Sequence, residues 1–165
     1  DNAVKYIIKN NLVSALSELT LAQQLNPDLT IIYCNLALIN TLNNDYDEAF
    51  KHIHTAKKIN QKLDIIYINE GLIFYSQKNY LSAIQSFQYA LKINPNNLHA
   101  KYNLAIIYFL SDNVQICYKY LKELSSSGLF FVLLQSNFNY LNDNIFDINT
   151  MLFPREKDVF KKNIF

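Results

Sequence analysis

The sequence is poor in the residues that interrupt helices. Its 165 residues include only 2 glycines and 3 prolines. That excludes a loop-rich fold and predicts one ordinary domain of regular helices without a long flexible linker. Charge of either sign is not in excess. Lys plus Arg number 15 against 14 Asp plus Glu, a formal net charge of +1, so no strong field draws in nucleic acid or an anionic membrane. No nucleic-acid partner is expected. Cys34 and Cys117 stand far apart without metal-ligand or redox spacing, which argues against a disulfide framework or zinc site and leans towards a reducing, cytoplasmic setting. The longest apolar runs, "LAIIYFL" and "LFFVLL", fall well short of the ~20 residues that span a bilayer.

Catalytic constellations are missing as well. Gly71 and Gly128 are too few to build a glycine-rich phosphate loop or a nucleophile elbow. His52 and His54, two apart on a helix, point about 200° apart, which suits solvated surface residues and not a metal pair. His99 has no Cys, Asp or Glu partner at a catalytic spacing. No enzyme, metal or cofactor is expected. The chain starts at Asp1 without an initiator Met, so it is expected to be a fragment, and any signal or anchor would precede it. The abundance of Asn, Lys, Ile and Tyr fits AT-rich codon usage, because apolar periodicity runs through it undisturbed.

What the sequence does have is self-similarity. In a register of 34 residues, Ala15, Ala49, Ala83 and Cys117 form one column, and Ala22, Ala56, Ala90 and Leu124 another. Between them stand Leu19, Ile53, Phe87 and Leu121, and an earlier column holds Ala3, Ala37, Gly71 and Ala105. Small residues bracket a large one, as two closely crossing helices require: Ala or Gly lets the backbones approach and a large side chain fills the adjacent hole. Each unit reads as two antiparallel helices. The first helices are predicted near 31–42, 65–77 and 98–110, and the second near 12–25, 46–59, 80–93 and 114–125. "DYDE" at Asp45–Glu48 has the form of a capping box, and Pro27 and Pro95 follow helix ends as stops. A repeated hairpin of this kind cannot bury its apolar faces alone and must stack.

These residues carry a resemblance to the tetratricopeptide repeat family. The first-helix pattern is seen in Tyr33, Leu36 and Ala37, in Tyr67, Gly71 and Phe74, and in Leu104, Ala105 and Tyr108. The second-helix pattern is complete in Ala83, Phe87, Ala90 and Pro95. The resemblance covers roughly residues 2–128. Departures are Asn40 where an aromatic is expected, Glu70 where Leu is expected, and Lys101 where an aromatic opens the repeat. The resemblance implies an all-α, right-handed superhelical solenoid of antiparallel helix pairs. Residues 1–128 would hold about four repeats, the first truncated at its start. Residues 129–165 would form a capping helix, from "LFFVLLQSNFNYLND", and a tail.

It also implies a function. First helices of such arrays line a concave groove, and this fold would serve as an adaptor or scaffold binding an extended or helical peptide of a protein partner. Asn35, Asn69 and Asn103 recur 34 residues apart on that face, and an amide can pair with peptide main chain. Around them the expected lining is Leu38, Ile68, Leu72, Tyr75, Tyr102, Ile106 and Phe109, with Cys34. The branch of the family that grips acidic chaperone tails does so through a Lys and Asn clamp, whose positions fall here on Cys34, Leu38, Asn69, His99 and Asn103 without the required Lys and Arg, so an apolar or neutral ligand is expected instead. Two other roles fit the same residues: the docking or regulatory arm of a larger enzyme, and a homodimerisation module.

Overall fold

The computed structural model describes residues 2–9 and 11–125. The capping helix and tail expected over 129–165 lie outside the described residues. The described chain is all helix: α1 (Asn2–Ile8), α2 (Leu12–Leu25), α3 (Thr30–Leu42), α4 (Tyr46–Asn60), α5 (Asp64–Ser76), α6 (Tyr80–Ile93), α7 (Leu98–Leu110) and α8 (Val114–Ser125). The pairs α1/α2, α3/α4, α5/α6 and α7/α8 are hairpins, and each hairpin packs on the next through α2/α3, α4/α5 and α6/α7. In addition α3 lies directly along α5. The second helices α4 and α6 do not meet as closely, so α3 and α5 lie on the inner side of the stack there. The result is an all-α helical-repeat solenoid.

One hairpin turn recurs at 34-residue spacing. Asn44, Lys78 and Asp112 adopt positive φ of 61°, 60° and 56°. The next residue in each case donates its N–H five residues back, Asp45 to the Asn40 carbonyl at 2.8 Å, Asn79 to Phe74 at 2.9 Å and Asn113 to Tyr108 at 2.8 Å. This is the Schellman closure of a helix end. That same residue then caps the following helix. Asn11, Asp45, Asn79 and Asn113 each accept from the N–H three residues on, at 3.2, 3.3, 3.2 and 3.5 Å, as N-caps do. The capping box expected at Asp45 is only half made. Glu48 does not reach back; its Oε2 takes a bond from Lys51 Nζ at 2.7 Å.

The columns pack as small against large. Ala15, Ala49, Ala83, Ala56, Ala90 and Phe87 are fully buried, with Leu19 and Ile53 nearly so. Gly71 leaves no room for a side chain, because a Cβ there would stand only 2.6 Å from Cε1 of the Phe87 ring. The first-helix partner is Ala wherever the large residue is aliphatic, as in the register pairs Ala3 with Leu19, Ala37 with Ile53 and Ala105 with Leu121. It is Gly only where that residue is Phe87. Burying these side chains supplies the main drive for folding. Most first-helix apolar residues join one continuous core, while Tyr102, Ala105, Cys117, Leu121 and Leu124 form a second cluster within the last hairpin.

Candidate partner-binding surface

Residues at i, i+4, i+7 and i+11 share one helical face, and on α3 these are Ile31, Asn35, Leu38 and Leu42. Ile31 and Leu42 are 41 % and 51 % exposed, and Asn35 and Leu38 are half-buried. The same face continues 34 residues on with Ile65 and Leu72, then with His99, Asn103, Ile106 and Leu110, the last 42 % exposed. Tyr75 and Phe109 are half-buried at its far edge. Helix α3 carries no charged residue at all. The charged residues of α5 and α7 are all held by other elements. Glu70 Oε1 pairs with Lys57 Nζ of α4 at 2.6 Å, and its Oε2 accepts from Ser86 Oγ of α6 at 3.2 Å. Lys101 pairs with Glu123 of α8 at 2.8 Å. Asp64 accepts from Asn94 and Asn97 of the α6–α7 turn at 2.7 and 2.8 Å. Burial alone would raise the Asp64 carboxyl; the amide bonds from Asn97 and Asn94 and from the backbone outweigh it and hold the group below the usual carboxylate range.

The expected lining divides. Leu38, Leu72, Tyr75, Ile106, Phe109, Asn35 and Asn103 are partly exposed, whereas Ile68, Asn69 and Tyr102 are buried at 4, 5 and 5 % exposure. The asparagines do not form a uniform row. Asn69 turns into the junction between first helices and donates Nδ2 to the Cys34 carbonyl of α3 at 2.7 Å. Asn103 instead donates to the His99 carbonyl of its own helix at 2.9 Å. A physical reason is at hand in the residue opposite. Cys34 is small and admits α5 close to α3, but the equivalent residue facing α7 is Ile68, and α5 and α7 do not lie together as α3 and α5 do.

Sequence reading missed Ile31, Leu42 and Leu110, although the same 34-residue register places them on the helical face that carries the asparagines. It missed the Lys57–Glu70–Ser86 and Lys101–Glu123 bridges too. Their signal was present, since Glu70 and Lys101 were the two charged departures from an apolar pattern, and a charge in such a helix needs a partner.

Elsewhere the surface offers less. A shallow cleft of about 290 Å3 on the outer side lies between α5 and α6, lined in part by Tyr67, Glu70, Ser86 and Tyr89. The chain already fills its polar requirements: the Tyr67 and Tyr89 rings lie 4.2 Å apart and Lys57 Nζ sits 4.9 Å over Tyr67. On α2, Val13, Leu21 and Leu25 are exposed, but that face belongs to one helix and has no opposing wall among the described residues. His52 is half-buried against the Tyr33 ring, 6.2 Å between centroids, and not fully solvated as expected; burial lowers its pKa. His54 is exposed. Burial pushes the Cys34 thiol up to about 12 and raises that of Cys117, which opposes formation of the reactive thiolate. Among the described residues no His, Cys, Asp and Glu cluster could hold a metal, and no helix is long and apolar enough to cross a membrane.

Residues 65–97, the α5/α6 hairpin with its following turn, match the tetratricopeptide repeat model. The hairpins on either side repeat its register, and the chain is an all-α solenoid of the tetratricopeptide type. Similar solved structures are the crystal structure of MamA (18 % identity, TM-score 0.61, covering 75 % of this chain and 72 % of that one), Naa15/Naa10 bound to HypK-THB (19 %, 0.66, 76 % and 19 %), and PilF of Pseudomonas aeruginosa (18 %, 0.64, 74 % and 56 %). At these identities the likeness is one of fold, and the chain spans less than two thirds of the second and third. No curated protein matches it. The class that the repeat and the fold define is that of all-α helical-repeat solenoids, and the repeat supports a role as a protein-interaction scaffold.

Proposed function

We propose that the chain binds a segment of a protein partner along the inner face of α3, α5 and α7, as an adaptor or assembly scaffold. The observation that carries this reading is the exposure of Ile31, Leu42 and Leu110 on a face without charge. Large apolar side chains left exposed on one uncharged face mark an interaction site when a partner covers them together. Support by analogy of fold comes from Naa15/Naa10, which was solved bound to HypK-THB. The absence of Lys and Arg from the face weighs against acidic peptides and favours a neutral, apolar segment.

The test is affinity capture from lysate of the source organism by the parent chain and by the double variant Leu42→Lys, Leu110→Lys. Both positions are exposed, so the variant should keep the parent's melting temperature. A protein retained by the parent and lost by the variant is the expected result. Equal retention by both would remove the inner face from consideration.

A further inference from the structure

We infer that two copies of the chain associate through the free face of α2, the two helices running antiparallel about a two-fold axis. Val13, Ser17, Thr20 and Gln24 stand at i, i+4, i+7 and i+11 and so share a face. Leu16 and Leu21 flank it, and the six line one shallow depression. Val13, Leu16 and Leu21 are 83, 43 and 54 % exposed, and Leu25, a turn beyond Leu21, is 70 % exposed. Glu18, the one charged residue of α2, lies off this face. Stacking of a further hairpin would not cover it. Helices α4 and α6 each have a hairpin before them, yet at the equivalent positions Lys51, His54 and Lys58, and Gln85, Gln88 and Lys92, are exposed. Each of the other second helices places at least one lysine on this face, and α2 places none.

A second copy is the occupant that fits. Two uncharged faces meet without repulsion, and an isologous pair needs a face that complements itself. Antiparallel pairing centred between Ser17 and Thr20 sets Leu16 of each copy against Leu21 of the other. It leaves the small Ser17 and Thr20 at the crossing, where they let the helices approach. It also brings Lys9, exposed ahead of α2, towards Asp28, exposed beyond it, at both ends of the pair; parallel pairing would set lysine against lysine. The face offers roughly 600 Å2 per copy and about 1,200 Å2 for the pair, which reaches the lower bound of specific interfaces.

The experiment is sedimentation equilibrium of the whole chain over about 1–200 μM, the range in which an interface of this size associates, with the single variants Leu16→Lys and Leu21→Glu. Both positions are exposed and both new residues are good helix formers, so thermal melts should show each variant folded as the parent is. Expected are a monomer–dimer equilibrium in the parent, a dissociation constant raised about tenfold or more in each variant alone, and recovery of dimer in an equimolar mixture of the two, where the introduced ammonium and carboxylate face each other. The inner-face variant Leu42→Lys, Leu110→Lys should dimerise as the parent does. A parent that stays monomeric throughout, single variants that dimerise undiminished, or a mixture that associates no more than its components would each overturn the inference. Dimerisation lost instead in the inner-face variant would seat the second copy on α3 and α7 and overturn it too.

Discussion

Replacing Gly71 by Ala should destabilise this protein, against the ordinary rule that Ala in a helix interior gains about 1 kcal/mol over Gly. The reason is local. A Cβ at Gly71 would lie 2.6, 2.7 and 2.8 Å from Cε1, Cζ and Cδ1 of Phe87, where ordinary contact is 3.4–4 Å. The ring must retreat by about 1 Å, yet it is fully buried and held from all sides, and interiors at crystal-like density do not yield freely. Overpacking costs about 1–3 kcal/mol. Set against the propensity gain, the net loss is up to about 2 kcal/mol. The structure also says what should repair it. In the other register pairs Ala faces Leu19, Ile53 or Leu121, so in a Phe87→Leu background the same Gly71→Ala change should be neutral or stabilising by up to about 1 kcal/mol. The coupling energy of the double-mutant cycle, read from urea unfolding midpoints of the four proteins, should be about 2 kcal/mol in favour of the double variant. If Gly71→Ala has the same effect in both backgrounds, or stabilises the parent, the close approach of α5 and α6 described here is wrong.

Other perturbations follow from the same geometry. Asn69→Ala removes a buried bond to the Cys34 carbonyl and should lower stability by about 1–2 kcal/mol, whereas Asn103→Ala, which loses only a bond within its own helix, should cost less than about 0.5; denaturant midpoints compare them. Lys78→Gly relieves a left-handed residue and should raise stability by up to about 1 kcal/mol by the same assay. The Asp64 carboxyl has a folded-state pKa below its unfolded value of about 3.9. Its contribution is therefore fully present above pH 4 and is lost as pH falls through the folded pKa. Thermal melts of parent and Asp64→Ala should accordingly differ at pH 6 and converge towards pH 2. Cys34 and Cys117 are buried and should react with a thiol reagent only as the chain unfolds, so reaction at the rate of a free thiol in the native protein would show that their packing is misplaced.

Most of the architecture was legible because a 34-residue recurrence states each helix four times. Ala83, Phe87 and Ala90 set one crossing, and their counterparts repeat it, so the second helices at 12–25, 80–93 and 114–125 agree with the structure at both ends. Less legible were features that depend on what lies opposite a residue. Asn35, Asn69 and Asn103 look equivalent in sequence, yet the small Cys34 lets one reach a neighbouring carbonyl and the bulkier Ile68 accompanies another that bonds within its own helix. Ile68 and Tyr102 likewise read as groove lining and are buried between helices. The positive φ at Asn44, Lys78 and Asp112 has no fixed residue type to announce it, since the turn closure imposes it. Glu70 and Lys101 could be seen as out of place, but the identity of their partners required the fold.

The central claim, that the inner face of the first helices is the binding surface, is tested most directly by site-specific photocrosslinking. A photoreactive amino acid would be placed at Leu38, Leu42 or Leu110 on the inner face and, separately, at the exposed outer positions His54 or Gln88, and each protein irradiated in lysate of the source organism. The account predicts a shared adduct from the inner positions that the outer positions do not give. An adduct formed only from His54 or Gln88 would place the partner on the second helices and contradict it.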